Sequence, residues 1–425
     1  MGALPLTSVR VVDLGMFWAG PYAGRLLGDL GAEVIKVESA RRPDPLRVLP
    51  RGLFPDRDPG ARPWNRSGMI NERNRNKLGI TLDLTAPEGA ALFKDLVKVS
   101  DVVLENFSAR VMDGFGLGYE ALREVNPQLI MISLASQGMT GPERDYVSVA
   151  NIVGELGGLT GISGYPDEPP SLSVGYPDPM GALTGAGAVL TALFSRQRTG
   201  QGVYIDVSQR QMVASFLGEA ILDYTMNGRI WGPQGNRHPA MAPHGAYRCR
   251  GEDAWVTLAV GTDQQWRALC RLLERPDLAD APRFADSLAR HRHAAELQEV
   301  IEAWTSQRSH YEAMALLQGA GIPAGAVLNA EELLEDPHLA ARGYFETVTH
   351  PEAGTHRYQG HPVRLTKTPN TTRLPAPLLG QHTTYVLHEL LKLSEEQVQE
   401  LEQKGIIGNV PLAPVEEYRM SPAGR

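Results

Sequence analysis

Asp178 stands in the run GYPDPM (175–180), ahead of a stretch of small and apolar residues at helical spacing. An Asp followed by Pro179 reads as a helix N-cap with proline at the first helical position. A carboxylate there is also held ionised by the helix dipole, which suits a nucleophile that must be an anion. From the pattern alone, capping is the plainer role. Gly181 and Gly185 fall on one face of that helix, where each costs about 1 kcal/mol relative to Ala. Their spacing points to the close approach of another backbone or of a ligand. A second candidate is the segment 41–66, which holds seven Arg, three Asp and six Pro, a local charge of +4 in a chain of net charge −8. Arginine binds phosphates bidentately, so this loop is a candidate anchor for an anionic ligand as well as a solvated surface.

Other chemistries lack their residues. No G-x-G-x-x-G follows the first apolar run, and neither G-x-x-x-x-G-K-[ST] nor G-x-S-x-G occurs. There is no H-E-x-x-H, and His238 and His244 have no Cys near them to build a metal site, so no metal is expected. Cys249 and Cys270 are the only cysteines, too few for a disulfide scaffold. The acidic balance disfavours a nucleic-acid surface. No run approaches the ~20 apolar residues of a membrane helix, and MGALPLTSVR lacks the form of a signal peptide or myristoylation site. The expectation is a soluble cytoplasmic protein.

The elements that must position Asp178 alternate. Val9–Leu14 is an apolar run fit for a buried parallel strand, followed by a helical pattern closing at Gly31 and a second apolar run at 32–37. Runs at 80–84, 101–106, 129–136 and 202–208 continue the rhythm, with helices near 87–99 and 179–196. This predicts an α/β fold, a doubly wound parallel sheet with helices on both faces. Beyond Gly235 the chain becomes turn-rich, then strand-like at 254–260, with helical patterns at 263–273, 289–304 and 309–319. The expected division is 1–229 as a large Rossmann-like domain, 230–335 as a smaller α+β domain, and 336–425 as a C-terminal segment returning to the large domain. In that tail LLGQHTTYVLHELLKL reads as an amphipathic helix, with a last helix near 394–403.

Seven stretches then carry a resemblance: DLGMFWAGPYAGRLLGDLGAEVIKVE (13–38), NRNKLGITLDL (74–84), DVVLENF (101–107), NPQLIMISLASQGMTGP (126–142), the Asp178 helix with RTGQGVYIDVS (198–208), GIPAGAV (321–327) and APLLGQHT (376–383). In this order they resemble the family III CoA transferases, which include formyl-CoA transferase, carnitine CoA transferase and the related α-methylacyl-CoA racemase. The resemblance covers nearly the whole chain. It implies an acyl-CoA:carboxylate CoA-transferase whose nucleophile is Asp178, working through an aspartyl anhydride and an aspartyl-CoA thioester. It implies CoA contacts at Trp18 and Ala19, from Asn74 to Lys77, and at Asn106 and Phe107. Coenzyme A is then a substrate, and its phosphates suit Lys77, Arg110 and the Arg41/Arg42 loop. The resemblance also implies an interlocked, ring-like homodimer.

Two alternatives stand beside this reading: a catalytically silent subunit of a hetero-oligomeric transferase, and an acyl-CoA racemase. The racemase His falls on Val149, which cannot exchange a proton, so the racemase is disfavoured. Formyl-CoA transferase has Gln in place of Trp18 and a Tyr-Glu pair in place of Val149-Ala150, and its glycine-rich loop has no counterpart near 235–250. The bulky Trp18 points to an acceptor acid with an apolar part, with succinyl-CoA as donor.

Overall fold

Six short apolar runs build the first sheet: β1 (Arg10–Asp13), β2 (Glu33–Glu38), β3 (Lys77–Thr81), β4 (Val102–Glu105), β5 (Ile130–Ser133) and β6 (Val203–Asp206). The structure, a computed structural model, describes residues 4–48, 53–170 and 175–412. All six strands pair in parallel, in the order β3-β2-β1-β4-β5-β6. Side chains alternate across the pleat. Val11, Val34, Val102 and Ile130 pack on the helices Ala19–Asp29 and Pro177–Thr199. Val12, Ile35, Val103 and Met131 pack on the helices Pro87–Lys98 and Glu395–Gln403. The sheet is therefore covered on both faces. The strand order reverses between β1 and β4, and the crevice at their carboxyl ends is where ligands bind in open α/β sheets.

The smaller unit takes Ile230–Ala340 together with a stretch that opens at Thr160. Its sheet is antiparallel, β7 (His244–Arg248), β8 (Trp255–Ala259) and β9 (Ala324–Ala326) in that order. Three helices, Asp263–Leu272, Ala294–Thr305 and His310–Gly319, close a core around Trp266, Phe284, Leu297 and Leu317. Capping boxes at Thr262/Gln265 and Ser309/Glu312 start two of these helices. The Thr160 stretch belongs here because Gly235 N–H donates to the Gly164 carbonyl at 2.9 Å and Asn236 donates to the Tyr165 hydroxyl at 2.9 Å. The larger unit resumes after that stretch, runs to Arg229, and takes the chain again from Ala341.

That returning segment opens with a hairpin, β10 (Phe345–His350) and β11 (Gly354–Gln359). It is then bonded along the large sheet's margin. Asn76 Oδ1 accepts from the Arg373 and Leu374 N–H groups, and Arg47 donates to the Pro377 carbonyl at 3.2 Å. His382 and Gly79 exchange two bonds: the His382 N–H reaches the Gly79 carbonyl at 2.8 Å, and His382 Nδ1 accepts the Gly79 N–H at 3.0 Å. These contacts shorten the expected tail helix. The backbone from Leu378 to His382 serves edge strand β3 instead, and only Thr383–Tyr385 and the wider-turned Val386–Leu390 are helical. Among the described residues no helix is long and apolar enough to cross a membrane.

Candidate active site

The loop after β1 is locked from three sides. Asp13 Oδ1 accepts the Gly15 N–H at 2.7 Å. Asn106, just past β4, accepts the Met16 N–H at 2.7 Å and donates to the Met16 carbonyl at 2.9 Å. The Asp44 carboxylate takes the Phe17 N–H at 3.2 Å. Phe17 itself has φ 61°, a left-handed conformation costly for a bulky residue. Gly15 and Gly20 approach so closely that a Cβ at either would stand 2.6 Å from the other's backbone. This packing carries Trp18 and Ala19 to the switch point of the sheet, beside Asn106.

Asp178 reaches the same region from the other helix. That helix starts at Pro177, so Asp178 is its second residue and not the expected N-cap. Pro177 supplies the fixed φ of the first position, and the Asp178 N–H donates to the Gly175 carbonyl at 3.1 Å. The carboxylate thus caps nothing. A Cβ on Gly175 would stand 3.9 Å from Asp178 Oδ2, 3.9 Å from Trp18 Cζ3 and 2.8 Å from the Ala150 methyl. Carboxylate, indole and the chain next to exposed Val149 therefore surround the Gly175 α-carbon. Burial pushes the Asp178 carboxyl up to about 6, against the pull of the Arg73 guanidinium.

Arg73 is the residue that sequence reasoning missed. It ends the short helix Gly68–Arg73, is 8% exposed, and lays its guanidinium over the Trp18 ring at 4.3 Å. Among the described residues its side-chain Nε has no hydrogen-bond partner. The Trp18 face is therefore occupied by a cation, which removes the ground for expecting an apolar acceptor there. Position 73 immediately precedes the NRNK run, the only local sign of it.

The remaining expected CoA contacts separate into two groups. Lys77 is fully buried, and its ammonium donates to Asp13 at 2.7 Å, the Pro21 carbonyl at 2.6 Å and Asn74 at 2.8 Å. With its three protons engaged, it has none for a phosphate. Asn74 accepts from Lys77 and donates to the Ile70 carbonyl at 3.0 Å, so it too faces inward. Ala19 is buried at its helix start and Phe107 is half-buried against the core. Arg41 and Arg42 are exposed, Arg41 on Asp83 at 2.8 Å, and Arg110 is exposed and paired with Asp145. Among the described residues these three arginines share no contact with the Trp18–Asp178 cluster. Glu105 is a further buried carboxyl at the switch point. Burial pushes it up to about 7 while its Oε2 accepts the Phe107 N–H at 2.6 Å.

A doubly wound sheet with a half-buried carboxylate at its switch-point crevice defines an α/β enzyme. The profile of CoA-transferase family III matches residues 6–383, and the chain belongs to that family. It is 38% identical over 404 residues to the succinyl-CoA–D-citramalate CoA-transferase of Chloroflexus aurantiacus, covering 95% of this chain and 98% of that protein. It is 33% identical over 410 residues to the succinyl-CoA–L-malate CoA-transferase beta subunit of the same organism, covering 95% and 98%. Among solved structures, a CAIB/BAIF family protein from Brucella suis superposes with a TM-score of 0.82 at 32% identity, covering 92% of this chain and all of that one. The protein is a CoA-transferase acting on acyl-CoA thioesters.

Proposed function

We propose that this enzyme moves CoA from succinyl-CoA to a small carboxylic acid through covalent intermediates on Asp178. One observation carries the reading: a carboxylate in the first turn of a helix, free of any capping role, desolvated, and flanked by Trp18 and Arg73 at the switch point. The names of the two relatives support succinyl-CoA as donor.

Asp178 attacks the thioester carbonyl, the C–S bond breaks, and CoA leaves as thiolate. The thiolate adds to the Asp178 carbonyl of the mixed anhydride, and the donor acid departs as its carboxylate. The acceptor carboxylate attacks the resulting aspartyl thioester, freeing the thiolate again. That thiolate then takes the acceptor acyl group and restores Asp178. Each step is an acyl transfer that retains the thioester energy. The helix of Asp178 has little to offer the developing oxyanions. Pro177 and Pro179 lack N–H groups, and the Asp178 and Met180 N–H groups already donate to Gly175 and Tyr176. The start of the neighbouring helix at Ala19-Gly20, whose first N–H groups have no intrahelical acceptor, supplies the donors. The test is to incubate the protein with succinyl-CoA alone and map the adduct by mass. A CoA mass on the Asp178 peptide, absent in Asp178→Ala, is expected; full activity of that variant would overturn the assignment.

The assembly proposed is an interlocked homodimer. The helix Gly218–Asn227 buries none of its residues, and Leu222, Tyr224 and Met226 are all exposed, Met226 by 76%. A second copy covers this face. A hetero-oligomer is the alternative, favoured by the relative that is one subunit of such an enzyme. Light scattering on the purified chain separates the two, since a self-sufficient chain gives twice its 46.3 kDa mass.

A further inference from the structure

Arg73 brings a largely buried cation to the neighbourhood of Asp178. The residue is only 8% exposed and its Nε is fully buried, and a buried cation is costly unless its donors are met. Glu72 is its ion-pair partner, with Oε2 3.6 Å from Nε, beyond hydrogen-bond reach, and the Asp44 and Asp178 carboxylates also act on it through space. Glu72 is also held elsewhere: its Oε1 takes Arg25 Nη1 at 2.7 Å. Among the described residues no hydrogen bond engages the Arg73 guanidinium. The Trp18 ring covers one face of the planar group. That stacking satisfies the π-face and leaves the in-plane N–H fork open, the edge that binds a carboxylate bidentately.

The position of the fork matters because Trp18 is also the wall of the Asp178 carboxylate. The Arg73 charge is felt at Asp178, which places the cation and the nucleophile in one electrostatic neighbourhood. A monocarboxylic acyl group reacting at Asp178 would leave the N–H fork of the guanidinium without a hydrogen-bonded carboxylate. A short dicarboxylic one carries a second carboxylate that stays free when the first is a thioester.

We infer that Arg73 is the specificity residue of this enzyme, binding the free carboxylate of a short dicarboxylic acyl group, or of a dicarboxylic acceptor, while the other end reacts at Asp178. The inference rests on the proposed role of Asp178 and extends it to a substrate class. A site with a buried donor left unpaired rejects the analogue that lacks the acceptor, so the chain discriminates against straight-chain monoacyl groups of equal length.

The experiment compares succinyl-CoA with butyryl-CoA, in which a methyl group replaces the free carboxylate, in wild type, Arg73→Met and Arg73→Lys. Rates are measured at pH 8, where Asp178 is ionised and the loss of Arg73's field on it is silent. The wild type should favour succinyl-CoA in kcat/KM. Arg73→Met should lose roughly 100-fold or more with succinyl-CoA and gain with butyryl-CoA, so that the preference collapses, while Arg73→Lys recovers part of the loss with succinyl-CoA. An equal fall with both donors, or a wild type indifferent between them, overturns the inference. A second readout needs no variant: inhibition of the wild type by free succinate and by free butyrate. Succinate should bind much more tightly, and equal inhibition overturns the inference even if Arg73→Met fails to fold. The Asp178 reading is judged separately by the CoA adduct. If no adduct forms from either donor, that reading fails, while the succinate and butyrate comparison still decides whether Arg73 holds a carboxylate.

Discussion

Asp13 and Lys77 meet at 2.7 Å with neither side chain exposed, although β2 separates their strands in the sheet. The pair fixes the loop that carries Trp18, because Asp13 uses its second oxygen on Gly15 and Lys77 uses a second proton on Pro21. Lys77 thus acts on the site through the backbone.

Lys77→Met should therefore appear as a loss of stability. It strands the Asp13 carboxylate in the interior, which costs about 3–5 kcal/mol. Urea unfolding of the variant checks this. A stable variant with a raised KM for acyl-CoA would return Lys77 to the phosphate role.

The acid limb of the rate should report Asp178. With its carboxyl pushed up to about 6, kcat/KM should fall tenfold per pH unit below that value. Arg73 draws the carboxyl down, so Arg73→Met should move the limb to higher pH. A pH profile with butyryl-CoA, the donor that does not use Arg73, makes the comparison.

The same shift sets a stability difference. The folded value lies above the ordinary 3.8, so Asp178 ionisation opposes folding, and the favourable contribution present below pH 4 is lost as pH rises through 6. Asp178→Asn should melt higher than wild type at pH 7, inactive but sturdier, and the gap should close by about pH 4. Calorimetry at the two pH values tests the sign.

Asn106→Ala removes both bonds to Met16 and leaves a part-buried N–H and carbonyl without partners. The expected cost is about 1–3 kcal/mol, together with a raised KM for acyl-CoA as the Trp18 loop loosens. Kinetics paired with urea unfolding separates the loop effect from general loss of fold.

Neutralising Arg41 and Arg42 together should raise the KM for acyl-CoA and leave kcat nearly unchanged, the pattern of lost uniform binding. The exposed Arg41–Asp83 pair holds its guanidinium by only about 0–1 kcal/mol, so a phosphate can displace it. The effect should shrink with added salt. An unchanged KM at low ionic strength would make the pair plain surface.

The buried parallel strands were legible because each is a near-continuous apolar run: β1, β4 and β5 lie within expected runs, and β2 overruns 32–37 by one residue, Glu38. β3 begins earlier than the expected 80–84, at Lys77. A charged residue opens that strand only because Asp13 neutralises it, and that partner comes from a distant part of the chain. Asp178 was legible through its helix start, yet its place one turn-position inside the helix depends on which of two prolines takes the lead. Arg73 had no sign beyond its place before the NRNK run. It matters through Trp18 and Asp178, which only the folded sheet brings to it. The Thr160 stretch joined the smaller unit through the bonds of Gly164 and Tyr165, which no periodicity encodes.

The two bonds between His382 and Gly79, with those of Arg47 and Asn76 to residues 373–377, have a consequence for how the molecule is made. The ribosome delivers β3 first and its margin partner His382 only 303 residues after Gly79. Until His382 has emerged, edge strand β3 offers unpaired backbone groups to any passing chain, and the carbonyl that Arg47 will meet does not yet exist. The segment Ile230–Ala340 has its own core and can close while it is still tethered. Folding would then proceed from the middle outward, with the unit that carries Asp178 the last to become whole.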